Sequence, residues 1–174
     1  MRVPQMASVH TLLKSLWLVG VTGLALPVHA NGLTEVAQTI FGMDCAPCAY
    51  GIEKGLKKLP GVTAVRVSLN EGQAVVALAA DSSTTIENIR KIIRDNGFTP
   101  KAARVKLVGT LTQAGGGLWL EAPGVPRYRL TASNGAVEAA LRERPNGETV
   151  KIEGEITESA AVAGEVRVTQ LLSK

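Results

Sequence analysis

Two cysteines, Cys45 and Cys48, are the only ones among 174 residues, and two intervening residues separate them. They sit in Gly42-Met43-Asp44-Cys45-Ala46-Pro47-Cys48, between an apolar run ending at Phe41 and a segment of helical periodicity that begins near Ala46. A Cys-x-x-Cys pair where a loop enters a helix can turn both sulfurs toward one ion. The free amide groups of the first helical turn favour the negative thiolate and lower its pKa. Soft sulfur ligands select soft ions, so Cu(I) or Hg(II) held between two sulfurs suits this donor set. Zinc would require two further ligands from carboxylates or a second molecule. On the motif alone, a thioredoxin-like redox pair and a plain disulfide stay open beside metal binding.

The rest of the chain narrows the choice. Residues 1–30 have the layout of a cleaved secretory signal: Arg2 and Lys14, an apolar stretch from Leu16 to Leu26, then Val28-His29-Ala30 before the expected cut. The apolar stretch falls short of the roughly 20 residues of a membrane span. The expected compartment is therefore the periplasm. Both histidines, His10 and His29, leave with this segment. Without them there is no Ser-His-Asp triad, no histidine-bound zinc and no histidine base. Removing Arg2 and Lys14 leaves 17 Lys and Arg against 15 acids. That balance is too even to imply nucleic-acid binding.

From 36 to 103 the pattern alternates between strand and helix. Strands are expected at 36–41, 62–69, 74–78 and about 101–105. Ile52, Leu56 and Leu59 mark one helix, stopped by Pro60-Gly61, and Ile86, Ile89 and Ile93 mark a second, ended by Asn96-Gly97. Thr84 is the expected N-cap of the second helix, with Glu87 completing a capping box. The order β-α-β-β-α-β predicts a ferredoxin-like α+β domain over 31–103. From 104 to 174 the pattern turns mostly β: strands at 104–111, 118–120, 126–131, 149–156 and 164–171, with a helix at 137–144. Five short strands with a helix between the third and fourth predict a small OB-like barrel, a sandwich or open sheet being the alternatives.

Residues 36–103 resemble the heavy-metal-associated domain of copper chaperones, of the N-terminal modules of copper-transporting ATPases and of the periplasmic mercury-binding protein. The resemblance rests on Gly42 to Cys48 for Gly-Met-x-Cys-x-x-Cys, on Leu59-Pro60-Gly61-Val62, and on Asn96-Gly97-Phe98 ahead of the last strand. It implies that Cys45 and Cys48 ligate one Cu(I) or Hg(II) per chain. It further implies that Met43 points inward to support the loop and that Phe98 shields the sulfurs. Asp44 stands where the family commonly has Thr, which sets a negative charge beside two thiolates.

The implied function is metal capture and transfer by thiolate exchange, without substrate turnover. The implied partner is a membrane metal transporter or another thiol-bearing metal-binding protein, and the metal-free chain is expected to be a monomer. In the second half, Trp119 between Leu118 and Leu120 reads as core or domain interface. With Arg127, Tyr128 and Arg129 it also makes a candidate docking surface for a partner. No nucleic-acid partner is expected, because two aromatics are too few for a stacking platform. Lys151, Glu153 and Glu155 read as the wet face of a strand.

Overall fold

The computed structural model describes residues 32–80, 82–122, 126–158 and 164–172. The expected signal segment lies outside them. The elements are β1 (Gly32–Phe41), α1 (Ala46–Leu56), β2 (Val62–Ser68), β3 (Gln73–Leu78), α2 (Ile86–Asp95), β4 (Thr99–Ala114), β5 (Gly117–Glu121), β6 (Tyr128–Ala132), α3 (Gly135–Arg142), β7 (Thr149–Ile156) and β8 (Glu165–Leu172).

The first half has the expected β-α-β-β-α-β order, with strands arranged β2-β3-β1-β4. Apolar alternation decides which face of this sheet is covered. Val36, Val76 and Val105 pair across β3, β1 and β4 and turn toward α1 and α2. From the helices, Ile52 and Leu56 of α1 and Ile86, Ile89 and Ile93 of α2 close the layer. The N-cap of α2 is Thr85 rather than Thr84, and Asn88 completes the capping box instead of Glu87. Thr84 is buried, and its hydroxyl donates to Pro60 O at 2.7 Å, a partner 24 residues away. That tertiary bond takes the residue that local spacing had assigned to the cap.

The strand expected at about 101–105 runs instead through 16 residues, Thr99 to Ala114. Its inward positions, Ala103, Val105, Leu107 and Leu111, continue without a break, so the division expected at 103/104 falls inside one strand. Both edges of β4 are paired over the same stretch. Residues 99–108 meet β1 and residues 103–110 meet β7. Further along, 110–114 meet β5. Gly109 is required where these strands close up, since a Cβ there would lie 2.7 Å from Glu121 O.

Strands β4, β5, β6, β8 and β7 form a ring that returns to β4. Every neighbouring pair is antiparallel except β6–β8, and α3 lies between β6 and β7 in sequence. Leu111, Leu118, Leu130, Leu141, Ile152 and Val168 fill the ring and belong to the same apolar cluster as Val36 and Ile52. The two halves thus share one core.

Arg90 of α2 crosses the junction. It is 3% exposed, and its Nε donates to Gln38 Oε1 at 2.9 Å. Nη2 donates to Lys101 O at 2.9 Å and to Ile156 O, at the end of β7, at 3.3 Å. The Gln38 amide in turn donates to Lys101 O at 2.8 Å and to Thr39 O at 2.9 Å. Together they satisfy backbone carbonyls around the register shift between Gln38 and Ile40, three residues before the cysteine loop. Burial pushes the Arg90 pKa below its ordinary value.

Candidate metal centre

The cysteine loop links the end of β1 to the start of α1. Cys45 is the N-cap residue, with extended backbone, and Pro47 occupies the first turn, where a missing N–H costs nothing. The Cys48 amide donates to Cys45 Sγ at 3.2 Å, and the Ala49 amide donates to Cys45 O at 3.1 Å. One sulfur therefore performs the capping role that an oxygen usually has, in the positive field of the helix start. The two Cα atoms lie 5.2 Å apart and the sulfurs are joined as a disulfide. Both residues are half-buried, so the sulfurs lie at the surface rather than within the core. In the reduced form they are the donor pair that a linear two-sulfur site requires.

Nothing described adds further ligands. Among the described residues, no group of three or more His, Cys, Asp or Glu side chains could hold an ion. The donor set is thus two thiolates, which fits a soft ion in low coordination and leaves zinc two ligands short.

Met43 is buried in the apolar cluster. Phe98 is partly buried beside the loop: a Cβ on Gly42, whose φ is +88°, would stand 3.9 Å from Phe98 Cδ1. Asp44 is exposed and forms no hydrogen bond or ion pair with a described residue. Two features here escaped the sequence reading. Phe41 and Tyr50 are the large apolar side chains left exposed among the described residues, at 68% and 67%. Phe41 immediately precedes Gly42, and Tyr50 is two residues beyond Cys48. In addition, Lys101 Nζ sits 5.7 Å above the Phe41 ring and 3.5 Å from Glu158 Oε2, linking the loop's edge to the end of β7.

The second group of candidate residues does not come together as one surface. Strand alternation turns Leu118, Leu120, Tyr128 and Leu130 into the ring, and Trp119 and Arg129 outward. Trp119 is therefore not core. Its indole stacks under Arg127 at 4.4 Å, and its Nε1 donates to Ala114 O at 3.3 Å. Arg127 also pairs with Glu121 at 3.1 Å. Tyr128 leaves the docking group altogether. It is 3% exposed, its hydroxyl has no hydrogen-bond partner, and burial raises its pKa.

Comparison with known proteins agrees with the loop geometry. Residues 39–99 match the heavy-metal-associated domain. Copper chaperone CopZ of Staphylococcus epidermidis is 33% identical over 69 residues, covering 40% of this chain and 100% of the chaperone. The mercuric transport protein periplasmic component of Salmonella typhi is 30% identical over 86 residues, covering 49% of this chain and 92% of that protein. A copper-exporting P-type ATPase of Bacillus subtilis is 44% identical over 61 residues, which are 33% of this chain but only 8% of the ATPase. The chain belongs to the heavy-metal-associated domain family, and its Cys45–Cys48 loop lies within the matched segment.

Proposed function

We propose that this protein is an exported carrier of a soft metal ion. Cys45 and Cys48, once reduced, capture one Cu(I) or Hg(II). An incoming thiolate on the partner attacks the bound ion, and the cysteines leave in turn. The observation that carries this reading is the placement of two sulfurs at the start of α1 with no third ligand among the described residues. The partner is a membrane metal transporter or another thiol-bearing metal-binding protein. Export follows from the layout of residues 1–30 and sets the carrier in the periplasm. No chemical turnover is assigned to it.

The second half is read as an OB-like barrel over 104–174, serving as a docking module for the partner. Its closed five-strand order, its parallel β6–β8 pair and its helix between β6 and β7 support that reading. Division at 103/104 is then one of role, since β4 belongs to both halves.

The Cys45–Cys48 disulfide favours one second reading, a thiol-disulfide exchange protein. Anaerobic titration of the reduced protein with Cu(I) and Hg(II), against a competing chelator and read by native mass spectrometry, separates the two. Tight one-to-one uptake that disappears in Cys45→Ser and Cys48→Ser supports the carrier. Absence of uptake by folded, fully reduced protein, with catalysed reduction of a disulfide substrate, supports the exchange protein.

A further inference from the structure

The cysteine loop is ringed by features that the metal site itself does not need. Phe41 and Tyr50 flank it on either side in sequence, each about two-thirds exposed. Side chains on a helix lean toward its N-terminus, so Tyr50, in the second turn of α1, leans back toward the loop. Solvent-exposed aromatics grouped at one place mark contact surfaces, where they supply large apolar area at low entropic cost.

Charge supplies a second, separate observation. Asp44 lies next to Cys45 with no partner among the described residues, and it opposes the formation of thiolate there. Cu(I) held by two thiolates keeps a net charge of −1, so the loaded loop with Asp44 is an anionic surface. Glu158 comes to the same edge from the other half, and the cation beside it, Lys101, is already paired with it. An unpaired acid at a dithiolate site is unfavourable in the free protein and favourable against a cationic partner.

Resting on the carrier reading, we infer that this rim is the docking surface for a partner whose thiolates are surrounded by lysine or arginine. Phe41 and Tyr50 supply the apolar contact, while Asp44 and Glu158 select the charge. The second half thus helps to choose the partner at the metal loop itself, through Glu158.

Two synthetic Cys-x-x-Cys peptides of matched Cu(I) affinity, one flanked by lysines and one by glutamates, provide the test. Stopped-flow transfer of Cu(I) from the loaded protein to each is compared at low and high salt. The lysine peptide is expected to accept metal on the order of tenfold faster at low salt, and the gap closes as salt screens it. Asp44→Asn reduces the gap about threefold and Asp44→Lys reverses it. The double change Phe41→Ser with Tyr50→Ser slows transfer to both peptides and leaves Cu(I) affinity, measured by chelator competition, unchanged.

Equal rates for the two peptides, or a faster glutamate peptide, overturn the inference while leaving the carrier intact. Aromatic substitutions that alter sedimentation of the protein but not transfer also overturn it, since the rim then belongs to a second copy. Failure of the reduced wild-type protein to take up metal overturns the carrier reading, and this inference with it.

Discussion

Arg90 Nε donates to Gln38 Oε1 at 2.9 Å inside the protein, where neither side chain has an acidic partner in hydrogen-bond contact. A buried guanidinium is tolerated here because carbonyls from β1, β4 and β7 surround it. Removing it strands several acceptors at once. Arg90→Met is expected to destabilise the protein by about 3 kcal/mol, read from urea midpoints at unchanged slope. Gln38→Leu, which leaves the cation without its side-chain acceptor, is expected to cost a similar amount.

Because β4 is paired on both edges over residues 103–108, the two halves are expected to unfold together. Native-state hydrogen exchange checks this directly. Amides of Val36 in β1 and Ile152 in β7 are expected to exchange with the same opening free energy. A gap between them of more than about 2 kcal/mol would show the ring or the metal-bearing half opening alone.

Tyr128 offers a substitution that improves the protein. Its hydroxyl is buried without a hydrogen-bond partner, so Tyr128→Phe is expected to stabilise by about 1 kcal/mol. Burial also raises its pKa above the ordinary 10.0. The unfolded chain loses this proton first as pH rises, so stability is intact below about pH 10 and declines above it. Tyr128→Phe is expected to flatten that part of the decline, measured by urea unfolding between pH 9 and 11.

Cys45 caps α1 as well as carrying the candidate ligand, and the two roles separate by substitution. In reduced protein, Cys45→Ser and Cys45→Ala are both expected to abolish metal uptake. The serine variant keeps an acceptor for the Cys48 amide and is expected to be about 1 kcal/mol more stable than the alanine variant. Thermal unfolding of the two variants side by side decides it.

What the sequence made legible was local. Gly42 to Cys48 announces its own loop, and the isoleucines of α2 announce their own stripe. What it hid depended on distant neighbours. Thr84 and Thr85 are equally good caps by type, and only Pro60 O, brought in by the fold, claims Thr84. The alternation through Ala103, Val105, Leu107 and Leu111 was present to be read, yet nothing local says that one strand serves two sheets. Arg90 adjoins Ile89 on an amphipathic helix and reads as solvated until β7 supplies its carbonyls. Tyr128, between two arginines, looked like a surface group until strand alternation turned it inward.

Closing the outer side of β4 with β7 also has a consequence for solubility. The four-stranded sheet of the metal-bearing half has two borders, and the ring has sealed one of them. Among the described residues the outer side of β2 remains, a row of backbone donors and acceptors onto which a foreign strand could be added. The irregularity between Val62 and Ala64, and the charged Arg66 in mid-strand, stand at that border. They are the places where a substitution toward flat, apolar sequence would turn a metal carrier into a seed for aggregation.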